Sequence, residues 1–231
     1  MTFTNPVLNE KKRKIDEIYL NLHQRIRAHS VHVGVVTSIM AHIHPQRLMQ
    51  EYMLEYGEIG AAIMCGGDYH DIGKYLISYA ICRKNDALSG IEKEIFMQHP
   101  RYSVKLIEEF SDVLFDPDES GRGALKLALD MAKYHHERYD GSGYPTGISG
   151  DSIPFIAQLC GLADAFDTLA NTRQRGRFEL ASSMIFENRG ILFSPAAVEC
   201  FELSMVEIRR LYTTKNSWIR AGMREAGADA D

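Results

Sequence analysis

The chain has 231 residues, a formal net charge of −5, 45% hydrophobic and 25% charged residues, the profile of an ordinary globular protein large enough for one sizeable core. The acidic balance argues against general nucleic-acid binding, no apolar run reaches the roughly 20 residues that cross a bilayer, and the basic start lacks the apolar stretch of a secretory signal. Cys65, Cys82, Cys160 and Cys200 are scattered without CxxC spacing, which points to reduced thiols, a cytoplasmic setting, and no disulfide frame or thiolate zinc site.

The pattern along the chain is helical. "IDEIYLNLHQRIRAHSVHVGVVTSIMAHI" repeats apolar residues at spacings of three and four, as a helix does. "LMQEYMLEYGEIGAAIMCGGDYHDIGKYLI" reads as helix, small-residue stretch, helix. "IEKEIFMQHPRYSVKLIEEF" is helical with a break near Pro100. Residues 115–123, "FDPDESGRG", read as an acidic loop. "ALKLALDMAKYHHERY" and "IPFIAQLCGLADAFDTLANT" follow as helices, the second with Pro154 near its start. In "SPAAVECFELSMVEIRRLY", Ser194 suits an N-cap and Pro195 the first helical position. No period-two alternation or internal repeat interrupts this, so the expectation is all-α, with a frayed "AGADAD" tail.

Two stretches carry chemistry. In "HHERYDGSGYP" (135–145), adjacent imidazoles and a carboxylate are expensive to bury unless something binds them. The turn residues that follow end a helix and start a loop. In "HDIGK", helical spacing would put His70 and Lys74 on one face, with Asp71 beside them. A carboxylate has two oxygens with which to bridge two metal ions, imidazoles can cap those ions, and a lysine can grip a phosphate oxygen.

Taken with "HSVHV", "AICRKNDALSGIEKEIFMQHP", "HHERYDGSGYPTGISGDSIP", "LADAFDTLANTR" and "RGILFSPAAVECF", these motifs resemble the HD-GYP phosphodiesterases, a branch of the HD metal-dependent phosphohydrolases. The resemblance runs from about Ala28 to about Phe201. It implies a single HD-type helical bundle with the GYP loop and extra C-terminal helices: a lead-in over 1–25, the phosphodiesterase domain over 26–215 and a tail over 216–231. It implies two divalent ions, iron or manganese, with Asp71 bridging. His29, His70 and Asp164 complete one site and His99, His135 and His136 the other. His32 replaces His29 if the first helix is shifted by a turn. Lys74 and Asp71 are the implied catalytic residues; Tyr144, Arg173, Asp167 and Lys74 the implied substrate contacts. Glu137 is expected to orient an imidazole.

The implied reaction is hydrolysis of cyclic di-GMP to pGpG or GMP in bacterial second-messenger signalling. The alternatives are another cyclic dinucleotide, such as cyclic GMP–AMP, or a non-catalytic interaction module. The expected partners are the dinucleotide and either a second copy or a signalling protein, with no nucleic-acid polymer and no membrane. No sensor or output domain is read, so regulation is expected from partners, oligomerisation, metal redox state or expression level.

The chain departs from the family pattern in places. Arg25 stands four residues before His29, where three-metal members carry a glutamate, so a third ion is not expected. Gly176, between Arg175 and Arg177, replaces a basic residue. Asp68, three residues before Asp71, is either a solvated carboxylate or an extra group near the metals.

Overall fold

The computed structural model describes residues 6–84, 88–170 and 177–213. The helices in order are α1 (Pro6–Asn21), α2 (Gln24–Ala41), α3 (Pro45–Tyr52), α4 (Tyr56–Tyr69), α5 (Tyr79–Cys82), α6 (Gly90–Phe96), α7 (His99–Glu109), α8 (Ser111–Leu114), α9 (Glu119–Tyr134), α10 (Phe155–Ala170), α11 (Arg177–Glu187) and α12 (Pro195–Leu203). Tight 3₁₀ turns cover Ile72–Leu76 and Gly150–Ser152, and residues 205–213 are again helical. No strand occurs among the described residues, only an isolated bridge between Arg189 and Phe193. The expected all-α class is what the chain adopts.

Helix α10 is the axis. Its residues Phe155 to Asp164 are buried on every face, which a helix tolerates only when its neighbours surround it. It packs on α2, α9 and α11, while α4 fills the space between α2 and α9. The main core joins Val33, Val36 and Met40 of α2 to Ile59 and Ile63 of α4, Leu127 and Met131 of α9, and Phe166 of α10. A smaller cluster joins Ile15, Ile18 and Leu22 to Ile72, Leu106 and Phe110. Through it α1 seats beneath the 3₁₀ turn that leads away from α4.

Several boundaries differ from the sequence expectation. The long first helix breaks at His23, which caps α2 by accepting from the Arg25 backbone N–H at 3.2 Å. The small residues Gly66 and Gly67 lie inside α4 and do not interrupt it. The chain turns earlier instead, at Met53 in the left-handed region (φ 54°), and α4 then starts with a reciprocal Glu55–Glu58 capping box. "HDIGK" is not continuous helix: α4 stops, Asp71 leaves helical geometry, and Lys74 rides the 3₁₀ turn. The acidic loop is shorter than 115–123, because Asp118 caps α9 by accepting from Gly121 at 2.8 Å. Ser194 and Pro195 start α12 as expected, with Ser194 accepting from Ala197 at 3.1 Å. The "AGADAD" tail lies outside the described residues.

Gly67 is a point where packing leaves no room. A Cβ built there would lie 2.4 Å from the Gly34 Cα of α2. The absence of side chains lets α2 and α4 touch backbone to backbone, which brings the His29 and His70 stations together. Gly161 of α10 plays the same part, since a Cβ there would meet the His135 carbonyl at 2.3 Å.

Candidate active site

Five helices and a 3₁₀ turn deliver the site. His29 projects from α2, His70 closes α4, and Asp71 and Lys74 follow on the 3₁₀ turn. His99 opens α7, His135 and His136 close α9, and Asp164 faces in from α10. The C-terminal ends of α4 and α9 both meet the centre, and helix C-termini favour positive charge.

Two sets of side chains bring ligand atoms within 4.8 Å of one another: Asp71, His99, His135 and His136, and His29, His70, Asp71 and Asp164. Asp71 belongs to both. Its Oδ1 lies 3.3 Å from His99 Nε2 and 3.7 Å from His135 Nε2. Its Oδ2 lies 3.6 Å from His70 Nε2 and also meets the Lys74 ammonium. His29 Nε2 is 2.8 Å from Asp164 Oδ1, and His136 Nδ1 is 3.8 Å from Asp164 Oδ2.

The imidazoles are oriented from behind. His70 Nδ1 bonds the Gly67 carbonyl at 2.7 Å, His99 Nδ1 that of Phe96 at 2.7 Å, and His135 Nδ1 that of Met131 at 2.9 Å. A carbonyl only accepts, so each ring carries its proton on Nδ1 and turns the Nε2 lone pair inward. His70 Nε2, His135 Nε2 and Asp71 Oδ1 are buried without a hydrogen-bond partner. Orphaned buried acceptors of this kind are costly, and a divalent cation in each set would satisfy them. The donor set of imidazoles and carboxylates suits iron, manganese or zinc.

Charge states agree with that use. Burial holds His99 down to about 4 and His135 down to about 3, and it lowers His70 and His136 as well. Four imidazoles are therefore neutral at pH 7. Burial opposes charge on Asp71, but the Lys74 ammonium together with the His70, His99 and His135 rings outweighs it and holds the carboxyl well below the usual range. His29 is the exception: burial disfavours its charge, yet hydrogen bonds to Asp164 and Asp167 push it up to about 10. Without metal a proton sits where a cation would.

Metal loading near pH 7.5 is accordingly expected to release about one proton per chain from His29, read by calorimetry in buffers of different ionisation enthalpy. The same shifts set the stability of the metal-free protein. His29 has a raised folded value, so its contribution is full below about 6.5 and fades as pH rises towards about 10. The depressed His99 and His135 act oppositely: the unfolded chain takes up protons first, so stability falls as pH drops from about 6.5 towards about 4 for His99 and about 3 for His135. A melting-temperature profile peaking near neutrality checks both signs.

Two sequence expectations need correction, and the open reading of Asp68 narrows. Asp167 does not face a substrate; it is 1% exposed and lies behind His29. It accepts from His29 Nδ1 at 2.7 Å, His32 Nδ1 at 3.0 Å and the Tyr212 hydroxyl. It therefore orients His29, and His32 stands behind the ligand set. Glu137 does not orient an imidazole. It accepts from Thr146 N at 2.7 Å, Thr146 Oγ1 at 2.6 Å and Gly147 N at 3.0 Å, pinning the loop after Tyr144. Asp68 belongs to neither ligand set; it accepts from Tyr19 of α1 at 3.4 Å. The Asp167 link joins residues 138 positions apart, and its only trace in the sequence is the three-residue step from Asp164, which places both carboxylates on one helix face.

Tyr144 lies over His136, with ring centroids 4.6 Å apart and planes inclined at 24°, and forms one wall of the site. Glu137→Gln should free that wall. Amide exchange at Thr146 and Gly147 is expected to accelerate about tenfold while the ligand set stays intact, as hydrogen exchange and metal analysis would report. Arg173 lies outside the described residues, as do Arg175 and Gly176.

The model of the HD domain family matches residues 57–193, and the chain belongs to that family. It is 31% identical over 145 residues to the cyclic di-GMP phosphodiesterase response regulator RpfG of Xanthomonas campestris pv. campestris, covering 62% of this chain and 36% of that one. It is 31% identical over 174 residues to 3'3'-cGAMP-specific phosphodiesterase 2 of Vibrio cholerae serotype O1, covering 75% of this chain and 31% of that one. The chain thus spans about a third of the length of these curated relatives. Among solved structures, Bd1817, an HDG"Y"P protein from Bdellovibrio bacteriovorus, matches with TM-score 0.53 and 16% identity over 84% of this chain and 58% of that one. That likeness shows a shared fold. No described helix is long and apolar enough to cross a membrane.

Proposed function

We propose that the chain is a metal-dependent phosphodiesterase of the cytoplasm that hydrolyses a cyclic dinucleotide, cyclic di-GMP first, to pGpG or GMP. The observation that carries this reading is the pair of His/Asp sets sharing the two oxygens of Asp71. His29, His70 and Asp164 would hold one divalent ion, His99, His135 and His136 the other, and iron or manganese is the preferred pair. Bound there, two such ions acidify a water, orient a phosphate and draw off developing negative charge.

The chain's own groups do the rest. Burial opposes charge on Lys74, but Asp71 and Asp164 keep it an ammonium. It is placed to grip a phosphate oxygen or to supply a proton to the departing 3′ oxygen. Tyr144, stacked on His136, closes one side and limits water. Asp167 holds His29 in its working tautomer from behind.

The named relatives include phosphodiesterases for cyclic di-GMP and for 3'3'-cGAMP, so cyclic GMP–AMP is the second substrate to try. Iron- or manganese-loaded protein would be incubated anaerobically with each dinucleotide, beside an Asp71→Ala control, and the products separated by chromatography. Formation of pGpG or GMP by the wild type alone supports the reading. No product from either substrate, with two metals bound per chain, overturns it.

A further inference from the structure

Beyond the ligand set, one surface patch gathers positive charge that nothing in the described chain neutralises. The His23 ring stacks on Tyr79 with centroids 4.2 Å apart and planes inclined at 23°. The Arg83 guanidinium lies 5.8 Å from the centre of that Tyr79 ring. The Arg25 backbone N–H donates to His23 Nδ1, so Arg25 stands one residue inside the cap. Arg25 and Arg83 are both exposed, and neither has an ion-pair partner among the described residues. Adjacent Lys84, by contrast, is neutralised by Glu92 at 2.6 Å. Burial, followed by the charges of Arg25 and Arg83, lowers the pKa of His23, so the ring pair adds no charge of its own near neutrality.

The patch borders the metal centre from two elements. Arg25 is four residues before His29 on α2 and shares its face. Arg83 directly follows Cys82, whose thiol lies within electrostatic reach of Lys74 and Asp71. In a chain with net charge −5, carboxylates to pair these arginines are plentiful, yet both charges reach the one His23 ring and neither arginine has a carboxylate partner among the described residues. Guanidinium matches phosphate in shape and charge, and an anion bridging the two would relieve their repulsion. A cyclic dinucleotide has two phosphates, and only one can be at the reacting centre at a time.

We infer that Arg25 and Arg83, spaced by the His23–Tyr79 stack, form a second phosphate subsite that holds the phosphate of a cyclic dinucleotide not being cleaved. The assignment rests on the cyclic-dinucleotide reading above. It has a consequence for the product: after the first ester is opened, this subsite retains the linear dinucleotide long enough for the second ester to be cut.

The test uses the full chain and its Arg25→Gln, Arg83→Gln double variant, both changes being on exposed side chains. Three quantities are read: KM for cyclic di-GMP with the pGpG-to-GMP ratio, turnover of bis(p-nitrophenyl) phosphate, and the Kd of a phosphorothioate cyclic di-GMP analogue with chelator present. The variant is expected to raise KM and Kd at least about tenfold, to shift product towards pGpG, and to leave bis(p-nitrophenyl) phosphate, which has one phosphate, unchanged. Equal losses on both substrates, or an unchanged KM and Kd, overturn the subsite. Failure of the wild type to bind the analogue overturns it too. Absence of any dinucleotide turnover, with analogue binding that the variant loses, overturns the catalytic reading and leaves the subsite standing.

Discussion

Asp71→Asn is expected to lower cyclic-dinucleotide turnover by at least about 10³-fold, a barrier increase of about 4 kcal/mol, and to leave fewer than two metals per chain. The side chain keeps its shape and loses only its charge and one acceptor. That loss falls on both sets at once, because Oδ1 faces His99 and His135 while Oδ2 faces His70. It also leaves the Lys74 ammonium beside a neutral amide in a largely buried position, a change that costs about 3 kcal/mol in comparable cases. The melting temperature should therefore fall as well. An Asp71→Asn, Lys74→Met double variant separates the two effects: it should regain melting temperature but neither metal nor turnover. Metal analysis of the purified variants decides the matter, and two tightly held ions in Asp71→Asn would sink the shared-carboxylate assignment.

The second large effect lies at a residue that belongs to neither ligand set. Gly67→Ala puts a methyl group 2.4 Å from the Gly34 Cα and 2.9 Å from its nitrogen. Backbone cannot swing aside as a side chain tip can, so α2 and α4 must separate by roughly 1 Å to reach ordinary carbon contact. The expected cost is about 3 kcal/mol, or a melting temperature lower by about 6–12 °C for a chain of this size. Displacement between α2 and α4 also parts His29 from His70, and a shift of that size lowers turnover by about 100-fold. Gly34→Ala is the matched control. Its Cβ would stand 3.3 Å from the Gly67 Cα, so calorimetry should show a far smaller loss. Equal losses in the two variants would show that the backbone approach is not what limits them.

Much of the site was legible in the sequence because its residues sit in contiguous motifs. "HDIGK" and "HHERYDGSGYP" gather groups suited to metals and phosphate, the family resemblance joins them into one ligand set, and the helix end at His135 follows from the turn residues behind it. What resisted reading was of two kinds. One was local geometry: continuous helical spacing hid the cap at His23 and the 3₁₀ turn carrying Lys74, since periodicity does not register a single change in hydrogen-bond step. The other was partnership at a distance. Glu137 neighbours two histidines in sequence yet holds Thr146 and Gly147, because the chain reverses just after it. Asp167 was expected to contact substrate and is instead the buried anchor of His29. The pairing requires α2 and α10 to be packed together, a property of the fold with no local signal.

The two halves of the centre are secured in different materials. His70, His99 and His135 lean on main-chain carbonyls, which every amino acid possesses, so replacing the side chains at Phe96 or Met131 leaves the anchoring atom in place. His29 leans on a carboxylate that belongs to Asp167 alone, and one nucleotide change can remove it. In a saturation mutagenesis map the first half should look insulated and the second brittle. Over long divergence the variable ligand of such a centre would then be the one carried on α2 and held from α10.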